Sequence, residues 1–147
     1  MKIQKTNNTK LIKAHICVLG PSGTGKTYLS STIKGKVLLL NADKGSLSLR
    51  KHAIDMVTVT TWEEVVEFMK YITGKQFAKA GYDWVVVDSF SSIAQILTEH
   101  LESKGIGGFD FWGEYAKLIG GMMKTLRDST VFNSLSIFEL VEKENSS

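Results

Sequence analysis

The chain has 147 residues, of which 43% are hydrophobic and 22% are charged, and its formal net charge is +3. This length and composition are typical of one globular domain, and no apolar run approaches the roughly 20 residues that a membrane-spanning helix needs. The single cysteine, Cys17, excludes a disulfide framework and favours a reducing compartment. We therefore predict a cytoplasmic protein that makes no membrane contact.

The charge is distributed unevenly along the chain. Residues 1–52 carry ten Lys and Arg against one acidic residue, giving +9, whereas residues 53–147 carry eight against fourteen, giving −6. We predict a polar, basic arm at residues 1–10 and a single domain over residues 11–147. The arm lacks the apolar segment of a secretion signal. Its lysines are compatible with nucleic-acid contact and also with a solvated tail.

A phosphate-binding loop follows the first predicted strand, His15–Leu19, and precedes a helix predicted at Lys26–Lys34, which Gly35 ends. Glycines in such a loop permit positive φ angles, so that backbone N–H groups can surround a phosphate. We expect Lys26 to reach the β- and γ-phosphates and the Thr27 hydroxyl to bind Mg²⁺. The helix dipole adds positive potential under the phosphates. The pattern predicts that the nucleotide is bound by Gly20, Pro21, Ser22, Gly23, Thr24, Gly25, Lys26, Thr27 and Tyr28.

The next strand predicted is Val37–Leu40, whose continuous apolar run is typical of a parallel strand that is covered on both faces. It leads into the polar stretch Asn41-Ala42-Asp43. Open α/β sheets bind ligands at the carboxyl ends of their strands, so Asp43 is a candidate site residue. A weak helix is predicted at Ser46–Ala53.

The middle of the chain alternates strand and helix signals. Met56–Thr60 alternates and is rich in β-branched residues, which predicts a strand. Thr61-Trp62-Glu63-Glu64 has the pattern of a capping box and opens a helix. Gly74–Gly81 is predicted to be a loop. The apolar face of the helix is formed by Trp62, Val65, Val66, Met69 and Ile72.

A second decisive stretch is Trp84-Val85-Val86-Val87-Asp88-Ser89, which has the form of a Walker B strand. A buried strand of this kind delivers one carboxylate to the edge of the sheet beside the phosphate loop, where Asp88 would hold Mg²⁺ together with Thr27. Many strands end in this way, but the order of the two motifs along the chain makes the assignment strong.

The rest of the chain is predicted as two helices and a last strand. Ser89 caps a helix that ends near Gly105, and Gly105–Asp110 is a flexible loop. A helix at Trp112–Leu126 contains three glycines that each cost about 1 kcal/mol, which favours a kink or mobility. Ser134–Val141 is the last strand, and Glu142–Ser147 is a polar end. The inner face of the helix that Ser89 caps is formed by Phe90, Ile93, Ala94, Leu97 and Leu101.

The succession of these elements resembles the RecA-like core of P-loop ATPases. It looks most like the phage-encoded nucleotide-binding proteins of that superfamily that are implicated in single-strand annealing and recombination. The resemblance runs from about Leu11 to Val141 and is carried by Gly-Pro-Ser-Gly-Thr-Gly-Lys-Thr, Leu-Leu-Leu-Asn-Ala-Asp, Thr-Trp-Glu-Glu and Trp-Val-Val-Val-Asp-Ser. Only the phosphate loop and the Walker B strand are specific.

The resemblance implies an α/β fold in which helices flank a parallel sheet on both faces. Ser134–Val141 is expected between the phosphate-loop strand and the Walker B strand, and right-handed crossovers agree with that placement. The resemblance also implies ATP and Mg²⁺ as ligands, a homo-oligomer, single-stranded DNA as a candidate partner and the cytoplasm of a host cell. RecA-like cores continue into a DNA-binding loop and further strands, so we predict that the domain is incomplete at its C-terminus.

The resemblance also implies catalytic roles. In RecA-like enzymes a carboxylate after the second strand activates the attacking water, and Asp43 falls at that place, where many relatives have Glu. A surface-loop or Asx-turn role for Asp43 is the alternative. RecA itself has an amide sensor at the end of its last matching strand, whereas residues 138–142 contain neither Gln nor Asn. Glu139 and Glu142 are the candidates for the position of this sensor.

Three functions remain open at this point. The first, which we predict, is an ATPase that acts on DNA, with Lys26 and Asp43 as the catalytic residues. The second is a nucleotide-binding module without turnover. The third is a small-molecule kinase, which the two arginines disfavour because kinase lids use several. A cationic finger must be Arg50, Arg127 or a lysine.

Overall fold

The computed structural model describes residues 13–21, 23–42 and 53–140. The predicted arm, Ser22, Asp43, most of the weak helix at Ser46–Ala53 and the polar end lie outside the described residues. Five parallel strands form one sheet in the order β1-β5-β4-β2-β3. Their bounds are β1 (His15–Gly20), β2 (Val37–Asn41), β3 (Asp55–Thr58), β4 (Trp84–Asp88) and β5 (Asn133–Glu139).

The strand order confirms the predicted topology. The last strand, β5, pairs with β1 on one side and with β4 on the other, so it separates the phosphate-loop strand from the Walker B strand. In β2, Val37 and Leu39 pack on one face of the sheet while Leu38 and Leu40 pack on the other. This burial on both faces is what the continuous apolar run predicts.

Five α-helices accompany the sheet in the described ranges: α1 (Lys26–Leu29), α2 (Trp62–Ile72), α3 (Lys75–Ala80), α4 (Phe90–Ser103) and α5 (Gly108–Arg127). Side chains from α2 to α5 pack on the sheet face that carries Leu38 and Leu40. The other face packs against Ile33, which follows α1, and Ile54, which precedes β3. None of the described helices is long and apolar enough to cross a membrane.

The predicted capping box of α2 is confirmed. The Glu64 backbone N–H donates to Thr61 Oγ1 at 3.3 Å, and Glu64 Oε2 accepts from the Thr61 backbone N–H at 3.1 Å. Hydrogen bonds from the backbone N–H groups of Thr60 and Thr61 lower the pKa of Glu64. The cap thus fixes where the chain turns after β3 and enters α2.

Helix α1 is shorter than the predicted Lys26–Lys34. It passes at Ser30 into a 3₁₀ turn, Ser30–Thr32, and Ile33 is already extended. The Ser31 hydroxyl donates to the Tyr28 carbonyl at 2.7 Å, and the Thr32 hydroxyl donates to the Leu29 carbonyl at 2.8 Å. Serine and threonine side chains that bond to nearby backbone carbonyls compete with regular helix, which accounts for the early end.

Two of the predicted loops are wrong in part. Gly74–Gly81 contains α3, because Phe77 is 1% exposed and lies against the rings of Tyr71, Tyr82 and Phe132. Helix α5 begins at Gly108, inside the predicted loop, and continues through all its glycines for 20 residues. Met122 and Leu126 of α5 are buried, so tertiary packing outweighs the helix propensity of glycine.

Candidate functional site

The phosphate loop begins where β1 ends, at Gly20. Gly23 and Gly25 have φ angles of 79° and 80°, the left-handed conformation that favours glycine, and a Cβ at either would meet nothing within 4 Å. At Gly20 the constraint is space instead, because a Cβ there would lie 3.2 Å from Thr24 Oγ1. Backbone conformation thus explains Gly23 and Gly25, and close packing explains Gly20, the third glycine of the motif.

Lys26 lies inside the turn of this loop. Its side chain is buried, with 8% exposed, although lysine is rarely buried. The ammonium group donates to the Pro21 carbonyl and to Thr24 Oγ1, and the Thr24 hydroxyl donates to the same carbonyl at 2.9 Å. The loop therefore holds a cation against its own backbone. A phosphate oxygen is a stronger acceptor for an ammonium than these neutral groups are.

Helix α1 begins at Lys26, with Gly25 at its N-cap. Thr27 is half-buried in the first turn, and Tyr28 is 53% exposed. Helix α1 has only four residues, so the positive potential that it adds under the phosphates is that of a single turn. The N–H groups of the loop and of the first turn remain available to an anion.

Asp88 ends β4 and is 2% exposed. The residue directly opposite in β2 is Asn41, which is 3% exposed. The Ala42 backbone N–H donates to the Asp88 carbonyl at 2.8 Å, and Asn41 Nδ2 donates to Thr58 Oγ1 at 3.5 Å. The peptide bond between Asp88 and Ser89 is cis. The neighbouring strands β3, β2 and β4 thus carry Thr58, Asn41 and Asp88 at their carboxyl ends.

The strand order sets the separation of β4, which ends in Asp88, from β1, which leads into the phosphate loop. Since β5 alone separates β1 from β4, the two strands lie about 10 Å apart, which is two strand spacings. A hydroxyl in the first turn of α1 and a carboxylate at the end of β4 suit Mg²⁺, which binds through one or two protein oxygens, phosphates and water. The described residues contain no cluster of three or more His, Cys, Asp and Glu side chains. A magnesium site of this kind needs none.

The carboxyl end of β5 lies between the end of β1, where the phosphate loop begins, and the end of β4, which carries Asp88. Glu139 is paired with Gly20, and the Leu140 backbone N–H donates to the Gly20 carbonyl at 3.0 Å. The Glu139 backbone N–H donates to Ser91 Oγ at 3.0 Å, and the Ser91 hydroxyl donates to the Glu139 carbonyl at 3.3 Å. Ser91 therefore ties the end of β5 to the first turn of α4 and fixes the position of Glu139, the sensor candidate that the structure describes.

The structure brings some predicted site residues together and leaves others apart. Loop residues 20, 21 and 23–28 are continuous with β1 and α1, and Asp88 lies two strands away at the same edge. Arg127 ends α5 and pairs with Asp128, which raises the pKa of the guanidinium. The Ser129 carbonyl, just beyond, lies 3.1 Å from the His15 ring at the amino end of β1. Arg127 therefore lies near the amino ends of the strands, whereas the phosphate loop of its own chain lies at their carboxyl ends.

Asn41, Thr58 and Ser91 were not predicted as site residues. Each lies at the carboxyl end of a strand or in the helix turn after one, and that position is the signal available in the sequence. The direct pairing of Asn41 with Asp88 depends on β2 lying beside β4. Sequence spacing alone does not show that Asn41 and Asp88 are neighbours, since 46 residues lie between them.

Comparison with known proteins agrees with this geometry. The family model described as "AAA domain" matches residues 12–146. No curated protein matches the chain.

Two similar solved structures are ATPases of bacterial type III secretion systems. One, described as a prototypical ATPase from pathogenic bacteria, has a TM-score of 0.60 and 15% identity over 90% of this chain and 45% of its own. The other is the assembled ATPase EscN of enteropathogenic E. coli, with its central stalk EscO. It has a TM-score of 0.58 and 15% identity over 88% of this chain and 38% of its own. The chain thus spans less than half the length of either structure, and the likeness shows the fold.

Proposed function

The chain belongs to the AAA domain family and is a P-loop ATPase domain, and from that premise we propose that it is a phage recombination ATPase. In this proposal it hydrolyses ATP at the loop of residues 20–28 and acts on single-stranded DNA during recombination or strand annealing. The observation that carries the nucleotide site is the buried ammonium of Lys26, held inside a loop in which two of the three glycines are left-handed. The experiment that tests the function is ATP hydrolysis by the full chain with and without single-stranded DNA.

The proposed chemistry is attack of water on the γ-phosphate. Loop N–H groups and the Lys26 ammonium stabilise the charge that develops on the phosphate oxygens, and they do so from fixed positions. The Thr27 hydroxyl and the Asp88 carboxylate would hold Mg²⁺, which neutralises phosphate charge when it is bound. Asn41, beside Asp88, is well placed to orient that carboxylate from the neighbouring strand.

Activation of the water is assigned to Asp43. It follows β2, whose carboxyl end lies beside that of β4, and it is the single acidic residue in the first 52 positions. Cations near a carboxylate favour its ionised form, so it could accept a hydrogen bond or a proton from water. A cationic finger would come from a neighbouring subunit of a homo-oligomer. Of the two arginines, Arg127 lies away from the loop of its own chain, and Arg50 lies outside the described residues.

We expect the change Asp88→Asn to weaken the Mg²⁺ dependence of nucleotide binding and to leave part of the affinity. The amide keeps the size of the side chain but removes the negative charge that attracts the cation. Calorimetry of ATP binding at several Mg²⁺ concentrations measures this effect. Asp83→Asn, just before the start of the same strand, is the control. Identical Mg²⁺ dependence in wild type and Asp88→Asn would exclude Asp88 as a metal ligand.

Contact with DNA is assigned to the basic arm at residues 1–10. Each phosphate that a lysine neutralises releases counterions, and for single strands the slope of log affinity against log salt is about −0.7 for each contact. Replacing Lys2, Lys5 and Lys10 by glutamine should therefore reduce the slope by about 2. Glutamine at Lys70, Lys75 and Lys79, which lie on α2 and α3, is the matched control. An unchanged slope in the arm variant would show that the arm does not contact DNA.

A further inference from the structure

Thr24 is not one of the residues that define the phosphate-loop motif, which are its first and last glycines and the Lys-Thr pair after them. Its hydroxyl nevertheless donates to the Pro21 carbonyl at 2.9 Å. The Lys26 ammonium donates to the same carbonyl and also to Thr24 Oγ1, at 3.3 Å. The Pro21 carbonyl therefore has two donors, and the Thr24 hydroxyl contacts both the carbonyl and the ammonium.

The space for this contact exists because residue 20 is glycine. A Cβ at Gly20 would lie 3.2 Å from Thr24 Oγ1, 3.6 Å from Lys26 Cδ and 3.9 Å from Lys26 Nζ. The first of these distances is shorter than the optimal separation of about 3.5–4.0 Å between carbon atoms, so a larger residue would displace the hydroxyl. The hydroxyl and the ammonium thus lie against the same glycine, where β1 ends and the phosphate loop begins.

A bound nucleotide would change the partner of the ammonium. Phosphate oxygens are charged acceptors, and their hydrogen bonds with an ammonium are stronger than those of a neutral carbonyl or hydroxyl. When Lys26 turns toward a phosphate, its contact with the Pro21 carbonyl is therefore weakened or lost. The nucleotide also covers the loop, and a carbonyl that is covered without a donor costs free energy. The Thr24 hydroxyl already donates to that carbonyl, so it can remain there while the ammonium moves.

We propose that Thr24 is a positioning residue for Lys26. Its hydroxyl keeps the Pro21 carbonyl hydrogen-bonded, and this allows the ammonium to leave that carbonyl for the phosphates of ATP. The side chain of Thr24 thus acts through the loop backbone and through Lys26. The inference deepens the proposed function, and it rests on the loop of residues 20–28 being the nucleotide site.

A second threonine provides a matched control. The Thr32 hydroxyl donates to the Leu29 carbonyl at 2.8 Å, and this acceptor also lies three residues earlier in the chain. Both threonines are exposed. The two bonds have the same local form, and what distinguishes Thr24 is the ammonium that shares its acceptor. A merely local role for the Thr24 hydroxyl would therefore make the two threonines equivalent.

The test compares Thr24→Val, Thr24→Ser and Thr32→Val in the full chain, with Lys26→Ala as the reference for a damaged site. Valine keeps the shape of threonine without the hydroxyl, whereas serine keeps the hydroxyl. Calorimetry measures the dissociation constant of ATP in the presence of Mg²⁺. We expect it to rise at least about fivefold in Thr24→Val and to stay within about twofold of wild type in Thr24→Ser and Thr32→Val.

Thermal unfolding without nucleotide separates positioning from a structural role. The ammonium still donates to the Pro21 carbonyl when no phosphate competes for it, so that carbonyl keeps a donor in Thr24→Val. We therefore expect Thr24→Val and Thr32→Val to unfold at the same temperature. A lower unfolding temperature in Thr24→Val than in Thr32→Val would show that the hydroxyl stabilises the fold, and it would overturn the proposal.

The binding measurements can also overturn the proposal. Wild-type ATP affinity in Thr24→Val, together with weak binding in Lys26→Ala, would show that the hydroxyl does not assist the ammonium. Equal losses in Thr24→Val and Thr24→Ser, or in Thr24→Val and Thr32→Val, would show the same. Wild-type affinity in a folded Lys26→Ala would instead overturn the nucleotide site, and this proposal with it. The failure of the inference and the failure of the site are therefore told apart.

Discussion

Lys26→Ala is expected to raise the dissociation constant for ATP·Mg²⁺ by about 100-fold or more. The change removes the cation inside the phosphate loop, and a hydrogen bond to a charged group contributes about 1.5–3 kcal/mol. In the structure the ammonium is buried and bonds to the loop that would surround the phosphates. Its loss therefore removes the charge from the place where the nucleotide needs it. Calorimetry of ATP binding in the presence of Mg²⁺ measures the effect.

The matched control for this change is Lys34→Ala. Lys34 is exposed, lies eight residues further along the chain and carries the same charge, so its replacement should leave ATP affinity unchanged. Thermal unfolding of both variants separates lost binding from lost folding, because the Lys26 side chain is buried. Equal ATP affinity in wild type and a folded Lys26→Ala would show that the nucleotide binds elsewhere.

The second large effect is expected for Asp43→Asn, which should keep ATP binding and lower kcat by about 10²- to 10⁴-fold. This is the range that a general base contributes. An interaction made only in the transition state changes turnover and not the ground-state affinity. Asp43→Glu should keep or raise activity, because the longer side chain extends the reach toward the water. Steady-state hydrolysis and calorimetry together separate the two quantities.

A different outcome for the Asp43 variants would assign the activation of water to another residue. Unchanged hydrolysis in Asp43→Asn would exclude Asp43 as the base and make Glu139 and Glu142 the next residues to replace. Glu139 is the one of the two that the structure describes, and its backbone is held by Ser91 and paired with Gly20. Lost ATP binding in Asp43→Asn would assign the residue to the binding site instead.

The phosphate loop and the Walker B strand could be predicted because each depends on local signals, whereas the strand order is implied by the RecA-like resemblance. Gly23 and Gly25 are glycines for a reason that acts within the loop, namely their positive φ angles. The burial of Val85, Val86 and Val87 follows from a continuous apolar run. Right-handed crossovers then leave few arrangements of five parallel strands.

The features that could not be predicted depend on distant contacts. Helix α3 exists because Phe77 meets Phe132, 55 positions away, and neither residue's neighbours signal that contact. Helix α5 runs through its glycines because Met122 and Leu126 are buried in the shared core. The neighbourhood of Asn41 and Asp88 likewise arises only when β2 lies beside β4. Propensity describes a segment alone, whereas these outcomes are set by tertiary packing.

The measurement that tests the central claim most directly is steady-state ATP hydrolysis by the full wild-type chain, with and without single-stranded DNA. Lys26→Ala serves as the background and Lys34→Ala as the positive control. We predict Mg²⁺-dependent turnover in wild type that rises when single-stranded DNA is added, the same turnover in Lys34→Ala, and none in Lys26→Ala. Turnover that DNA does not change would contradict the DNA-directed role. ATP binding without turnover under both conditions, in oligomeric protein, would contradict the account as a whole and favour a nucleotide-binding module.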